Sequence, residues 1–299
     1  MRSDKTLIII TGPTGSGKSA LALSLAKRLG CHIISADSRQ IYRQIPVGTA
    51  APTEDDMKSV PHHFAGTLDL EEYYSAAQFE EDVLTLLPQL WTESDYAVMC
   101  GGSMMYIDAV VKGIDMMPTV SDSTRRKAYA IYEEHGIEAV RRTLEEIDPD
   151  YYSVVDRNNH KRMIHAIEIT MEAGVPYSTM RTGKSKPRPF RIVKFAIDMP
   201  REELFDRINR RTLAMMEAGM EEEARNVYAL RRLNSLNTVG YKELFAYFDG
   251  LFTREQAIEK IARNTRVYAK KQLTWLKKDK DVCFLNPETD MVEQIMNIL

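Results

Sequence analysis

The stretch Gly12-Pro13-Thr14-Gly15-Ser16-Gly17-Lys18-Ser19 constrains this chain more than any other. A glycine, four residues and then Gly-Lys-Ser is the spacing with which a loop wraps a diphosphate in backbone N–H groups. Before it, Thr6-Leu7-Ile8-Ile9-Ile10-Thr11 is a short β-branched run that reads as a buried strand. After it, Ala20 to Leu29 reads as a helix closed by Gly30. Strand, glycine loop and helix N-terminus together make an anion site, because free N–H groups and the positive end of the helix dipole face one point. Lys18 adds a point charge, and the Ser19 hydroxyl stands where it can ligate Mg²⁺. The chain is expected to bind a diphosphate or triphosphate.

With 299 residues, the chain can hold one large α/β domain, or a core plus a smaller inserted one. No run approaches the roughly eighteen apolar residues of a membrane span, and Met1 to Lys5 leads into the first strand without an apolar signal core. The three cysteines, Cys31, Cys100 and Cys283, form no C-x-x-C pair. A zinc ribbon or disulfide framework is therefore not expected, and a reducing cytoplasm is. The net charge of −3 hides an asymmetry: residues 181–280 carry 23 Lys or Arg against 13 Asp or Glu, a local +10. That stretch is either a polyanion footprint or a set of solvated helix faces.

Ile33 to Ser38 reads as a second strand ending on a carboxylate, and Tyr96 to Cys100 as another running into Gly101-Gly102-Ser103. Helical spacing resumes from Met104 to Lys112. Strands alternating with helices predict an α/β fold, a P-loop NTPase-like parallel sheet flanked by helices, with ligands at the carboxyl ends of the strands. From Met116 to about Pro189, helical stretches (123–135, 137–147 and 157–173) follow one another without a strand. The expected organisation is a core of residues 1–117 and 190–299 with an inserted helical domain, 118–189. Its exit, Thr182 to Pro189, is basic and proline-broken and reads as a mobile loop. Ile192 to Ile197 returns as a strand, amphipathic helices follow from Arg201, and Val282 to Leu285 reads as a last strand.

A phosphate loop alone names no reaction. Hydrolytic members of the class carry an acid at the end of an apolar strand to order Mg²⁺ and water. Here that place holds Gly101-Gly102-Ser103. Asp37 stands instead at the next strand end, where it reads either as a general base or as a loop hydrogen-bond acceptor. His62-His63 lacks a third ligand and does not read as a zinc site. The pairs Met104-Met105, Met116-Met117 and Met215-Met216 read as core filler. Trp275 reads as core packing or as a base-stacking platform.

The blocks GPTGSGKS (12–19), ISADSRQIY (34–42), VGTAAPT (47–53), VPHHFAG (60–66) and YSAAQF (74–79) resemble those of the tRNA dimethylallyltransferase (tRNA isopentenyltransferase) family. So do GGSMMY (101–106), LFDRINRR (204–211), TVGYKEL (238–244) and AKKQLTWLK (269–277), and the likeness runs along nearly the whole chain. The resemblance implies transfer of a dimethylallyl group from dimethylallyl diphosphate to N6 of the adenosine 3′ of the anticodon, in tRNAs reading codons that begin with U. It implies Mg²⁺ at Ser19, and a soluble monomer whose partners are dimethylallyl diphosphate and the tRNA anticodon stem-loop. The phosphate loop, Gly12 to Ser19, holds the leaving group, and Asp37 is the base. Thr14 and Arg211 complete the catalytic set beside Lys18. For tRNA the resemblance implies Asp37, Ser38, Arg39 and Gln40 around the flipped base, with Ser103 where many members have Thr. It further implies Arg125; Lys161, Arg162, Met163, Ile164 and His165; Val239, Gly240, Tyr241 and Lys242; and Lys270, Lys271 and Gln272. His165 replaces a common Arg and Ala51 a common Lys, two lost positive charges. A small-molecule kinase using ATP on this loop, and a nucleotide-gated RNA-binding protein, are the competing readings.

Overall fold

Thr6–Thr11 (β1) is apolar along its length because the folded chain covers both of its faces. In the computed structural model, which describes residues 5–299, Ile8 and Ile10 pack on Leu21 and Leu25 of the helix Lys18–Leu29. Leu7 and Ile9 pack on Phe79, Val83 and Leu87 of the helix Ala76–Leu90 on the other face. Each such side chain, fully buried, contributes about 1.5–3 kcal/mol. β2 (Ile33–Ser35), β3 (His62–His63), β4 (Tyr96–Gly101), β5 (Arg191–Ile197) and β6 (Val282–Leu285) complete a parallel sheet in the order β3-β2-β4-β1-β5-β6. The α/β expectation holds, and the carboxyl ends of β1, β2 and β4 lie side by side. The helices Arg201–Glu217, Met220–Asn226, Tyr241–Phe248 and Arg254–Leu276 follow β5. They build a third core in which Met216, Tyr241, Leu244 and Ile261 pack on Ile41, Tyr42 and Ile45. Among the described residues no helix is long and apolar enough to cross a membrane.

The second strand stops at Ser35, not Ser38, because the Asp37 carboxylate captures the Arg39 and Gln40 N–H groups and turns the chain. The chain divides into two compact units: one made of the residues up to Val111 with Pro187–Leu299, the other Lys112–Lys186. These limits differ by a few residues from the expected 118–189. The Lys186 N–H bonds the Lys112 carbonyl at 2.7 Å inside the helical unit. Arg188 instead belongs to the sheet-bearing unit, where its guanidinium meets Glu80 at 2.7 Å and the Val110 carbonyl at 2.7 Å. The exit segment expected to be mobile is also held by Asp115, which accepts from the Thr182 hydroxyl at 2.5 Å and the Gly183 N–H at 2.9 Å. The methionine pairs are not uniformly filler: Met216 is buried, but Met105 and Met116 are 72% and 90% exposed. Met105 lies off the Tyr106-Ile107-Val110 face that its helix buries.

In the helical unit, the helical run Asp122–Ile147 is broken at Gly136 (φ 73°, ψ −172°) into the two helices that the sequence spacing requires. Its core is Ala128, Val140, Leu144, Met163, Ile164 and Ile167. Asp148 is fully buried and accepts the Tyr151 N–H at 3.0 Å and the Ser178 N–H at 2.7 Å, tying two short helices together. Asp148→Ala leaves both donors without that partner. It is expected to destabilise this unit by about 1–3 kcal/mol, read as faster hydrogen exchange confined to residues 112–186.

Candidate active site

The phosphate loop takes its shape from glycines at positive φ: Gly15 at 86° and Gly17 at 90°, the latter capping the helix that begins at Lys18. An L side chain is strained in that region, and a Cβ on Gly15 would also press on Ile208. The loop is gripped from outside. Gln272 accepts the Thr14 N–H at 2.9 Å and donates to the Gly102 carbonyl at 2.9 Å. Arg211 donates to the Thr14 hydroxyl at 3.0 Å. Beyond the next strand end, Asp37 Oδ1 accepts the N–H groups of Arg39 (2.9 Å) and Gln40 (3.3 Å). The Ser103 hydroxyl accepts the Ser38 N–H at 2.8 Å.

These groups surround one cavity of about 880 Å³. Its wall includes Lys18, Ser19, Asp37, Ser103, Arg211 and Lys271. Thr14, Ser38, Arg39, Gln40, Val239, Gly240 and Lys242 border it too. Burial disfavours the charge on the Lys18 ammonium and holds its pKa below the ordinary lysine value; Cys100 and Asp37 pull it back up, and Arg211 pushes it further down. Arg211 is likewise lowered by burial and supported by Asp37. Two cations thus share one carboxylate, a surplus that suits an anion. Ser16 adds a second sign: its hydroxyl is buried in the loop with no hydrogen-bond partner among the described residues. The Cys100 thiol beside Ser19 is pushed up to about 11 by burial, so it stays protonated near neutrality.

Several expected contacts look elsewhere. Met163 and Ile164 are core residues of the helical unit, so their side chains are not offered to a polyanion. Arg125 is half-buried in that unit, and Lys161, Arg162 and His165 are exposed on it. Tyr241 is fully buried with its hydroxyl bonded to Glu223. Gln272 is buried with both ends of its amide engaged, so it holds the loop. The Gln40 amide is engaged too, by Ser35 and by the carbonyls of Thr49 and Ala50. Lys270 is exposed, its ammonium 5.5 Å from the Phe205 ring. Trp275 packs inward and donates to Asp108 at 3.0 Å. His63 bonds His32 at 3.0 Å on the sheet edge, and no group of three metal-ligating side chains exists among the described residues. Missed in sequence were Asn264, Thr265 and Tyr268, which with Ile261 and Gln272 recur every three or four residues and turn one helix face to the cavity. That spacing was a readable signal.

A phosphate loop that shares one cavity with Asp37 and Arg211 defines a P-loop protein with a site suited to a diphosphate. The chain belongs to the IPP transferase family, whose model matches residues 40–279. It is 53% identical to tRNA dimethylallyltransferase 2 of Parabacteroides distasonis, covering 95% of each chain. It is 51% identical to tRNA dimethylallyltransferase 1 of Phocaeicola vulgatus, covering 98% of each. The full-length tRNA isopentenylpyrophosphate transferase of Bacillus halodurans superposes with a TM-score of 0.71 at 34% identity, over 98% of this chain and 94% of that one. The chain is accordingly a transferase, and the kinase reading is not favoured.

The lowered pKa of Lys18 has a sign that can be read. The unfolded chain binds the proton up to about 10.4, so the penalty for a charged Lys18 is full below its folded value. It is relieved as pH rises from there toward the unfolded value. A bound anion removes the penalty by restoring the charge. Calorimetry at a series of alkaline pH values up to the free lysine value, in buffers of different ionisation heat, should therefore show proton uptake that appears as pH rises when a fully ionised alkyl diphosphate binds. Lys18→Met should abolish that uptake.

Proposed function

We propose that this protein transfers a dimethylallyl group from dimethylallyl diphosphate to N6 of the adenosine 3′ of the anticodon, in tRNAs reading codons that begin with U. It would act as a monomer in the cytoplasm. The observation that carries this reading is the cavity whose wall holds both the phosphate loop and Asp37, at a strand end beside it. The adenosine is drawn out of its loop into this cavity, as chemistry on a base requires. Its N6 lone pair is delocalised into the purine, so attack needs a base. As N6 bonds the allylic carbon, that carbon's bond to diphosphate oxygen breaks and the N6 proton passes to an Asp37 carboxylate oxygen. Charge grows on the leaving diphosphate, where Lys18, Arg211 and the loop N–H groups supply preorganised donors.

The donor set also fits Mg²⁺. Ser19 is exposed at the cavity beside the phosphate loop, and its hydroxyl would hold the ion there. When bound, Mg²⁺ adds positive charge at the leaving group. For the RNA, Lys242 and Lys271 are exposed at the cavity, in the basic stretch, and Arg39 lines it.

Asn in place of Asp37 can still accept the Arg39 and Gln40 N–H groups, so the turn survives while the base is lost. Asp37→Asn should lower the single-turnover rate about 10²–10⁴-fold at an unchanged melting temperature. A variant transferring at the wild-type rate would remove Asp37 from the mechanism. Lys270→Glu with Lys271→Glu should weaken tRNA binding and flatten the slope of log affinity against log salt by roughly one per lost phosphate contact. Filter binding at several salt concentrations reads this, and an unchanged slope would make the stretch a solvated face.

A further inference from the structure

Glu223 is the last of three consecutive acidic residues in the helix Met220–Asn226, a run that reads as solvated. Its carboxylate turns inward. Oε2 accepts the Val47 N–H at 2.7 Å, and Oε1 accepts the Gly48 N–H at 2.7 Å and the Tyr241 hydroxyl at 2.5 Å. Val47 and Gly48 open the short helix Pro46–Thr49, whose first N–H groups have no partner within it and whose N-cap residue, Ile45, makes no side-chain bond. A carboxylate from a distant helix therefore serves as the cap. Tyr241 leaves room only for glycine at 48, because a Cβ there would collide with its hydroxyl and ring.

The other end of this turn faces the cavity. Ala50 is held at φ 47°, a left-handed conformation that a non-glycine residue keeps only when its surroundings impose it. The carbonyls of Thr49 and Ala50 accept the Gln40 amide N–H groups at 3.1 and 2.9 Å, and the Ser35 hydroxyl donates to its oxygen at 3.1 Å. The Gln40 backbone N–H in turn bonds Asp37 Oδ1. A continuous chain of hydrogen bonds thus runs from Tyr241 and Glu223, through the 46–50 turn and Gln40, to Asp37.

We propose that Glu223 and Tyr241 are positioning residues for transfer, fixing the 46–50 turn and through Gln40 the aim of Asp37. The proposal rests on the transfer reading above. A Glu223→Gln amide turns an N–H₂ group toward one of the two backbone N–H groups and unseats the turn. At saturating donor and anticodon stem-loop RNA it should slow single-turnover transfer about 10- to 100-fold, with alkyl diphosphate affinity unchanged. Tyr241→Phe should do the same to a smaller degree and stands in if Glu223→Gln does not fold. Because the residues act through one chain of contacts, Glu223→Gln combined with Gln40→Ala should be no slower than the slower single variant. Independent of activity, hydrogen exchange at the Val47 and Gly48 amides should be slow in the wild type and fast in Glu223→Gln. Multiplying effects, unchanged exchange, or an equal loss of diphosphate affinity would overturn the proposal. A wild-type protein that transfers nothing would instead sink the transfer reading, while exchange still decides whether the turn is held.

Discussion

Thr14 is held from both sides, its N–H by Gln272 and its hydroxyl by Arg211, and the site depends on that grip. A glycine-rich loop is pliable, and loop N–H groups aim at an anion only if something fixes the backbone between them. The two gripping residues come from helices that begin about 190 and 240 residues later in the chain. The loop at the start of the chain therefore has its final shape only after the C-terminal helices have packed. The same two helices line the cavity, and the second carries Lys270 and Lys271, so an element that shapes the phosphate site also carries basic charge.

Charge balance follows from this arrangement. Lys18 and Arg211 are both lowered by burial and both supported by Asp37. A carboxylate that compensates two cations would face a different field beside a bound diphosphate, because the anion then takes over that compensation. Ser103 at the end of β4 supplies a hydroxyl where hydrolytic members of the fold class have an acid, and that hydroxyl is occupied with the Ser38 backbone.

Local rules carried the reading where one segment decides its own conformation. The buried β1, the glycine loop, the helix from Met104 to Lys112 and the break at Gly136 each follow from periodicity or from positive φ. The family blocks carried the reading further, to Asp37, Thr14 and Arg211, and those residues do meet in one cavity. The blocks did not reveal which of their members face out. Met163 and Ile164 lie in a core, and Gln40, Tyr241 and Gln272 turn their polar atoms to other parts of the protein.

The chain's own residue order thus determined the strands, the glycines that let the anion loop turn and the residue types available for chemistry, because strand patterning and positive-φ positions are set within a few neighbours. Which polar atom meets which was decided in three dimensions. Glu223 reads locally as a solvated acid, yet its partners at Val47 and Gly48 lie about 175 positions away. A hydrogen bond of that separation has no periodicity and no local propensity to announce it. It exists because packing of the third core brings Tyr241 against Gly48, and buried N–H groups there must find an acceptor.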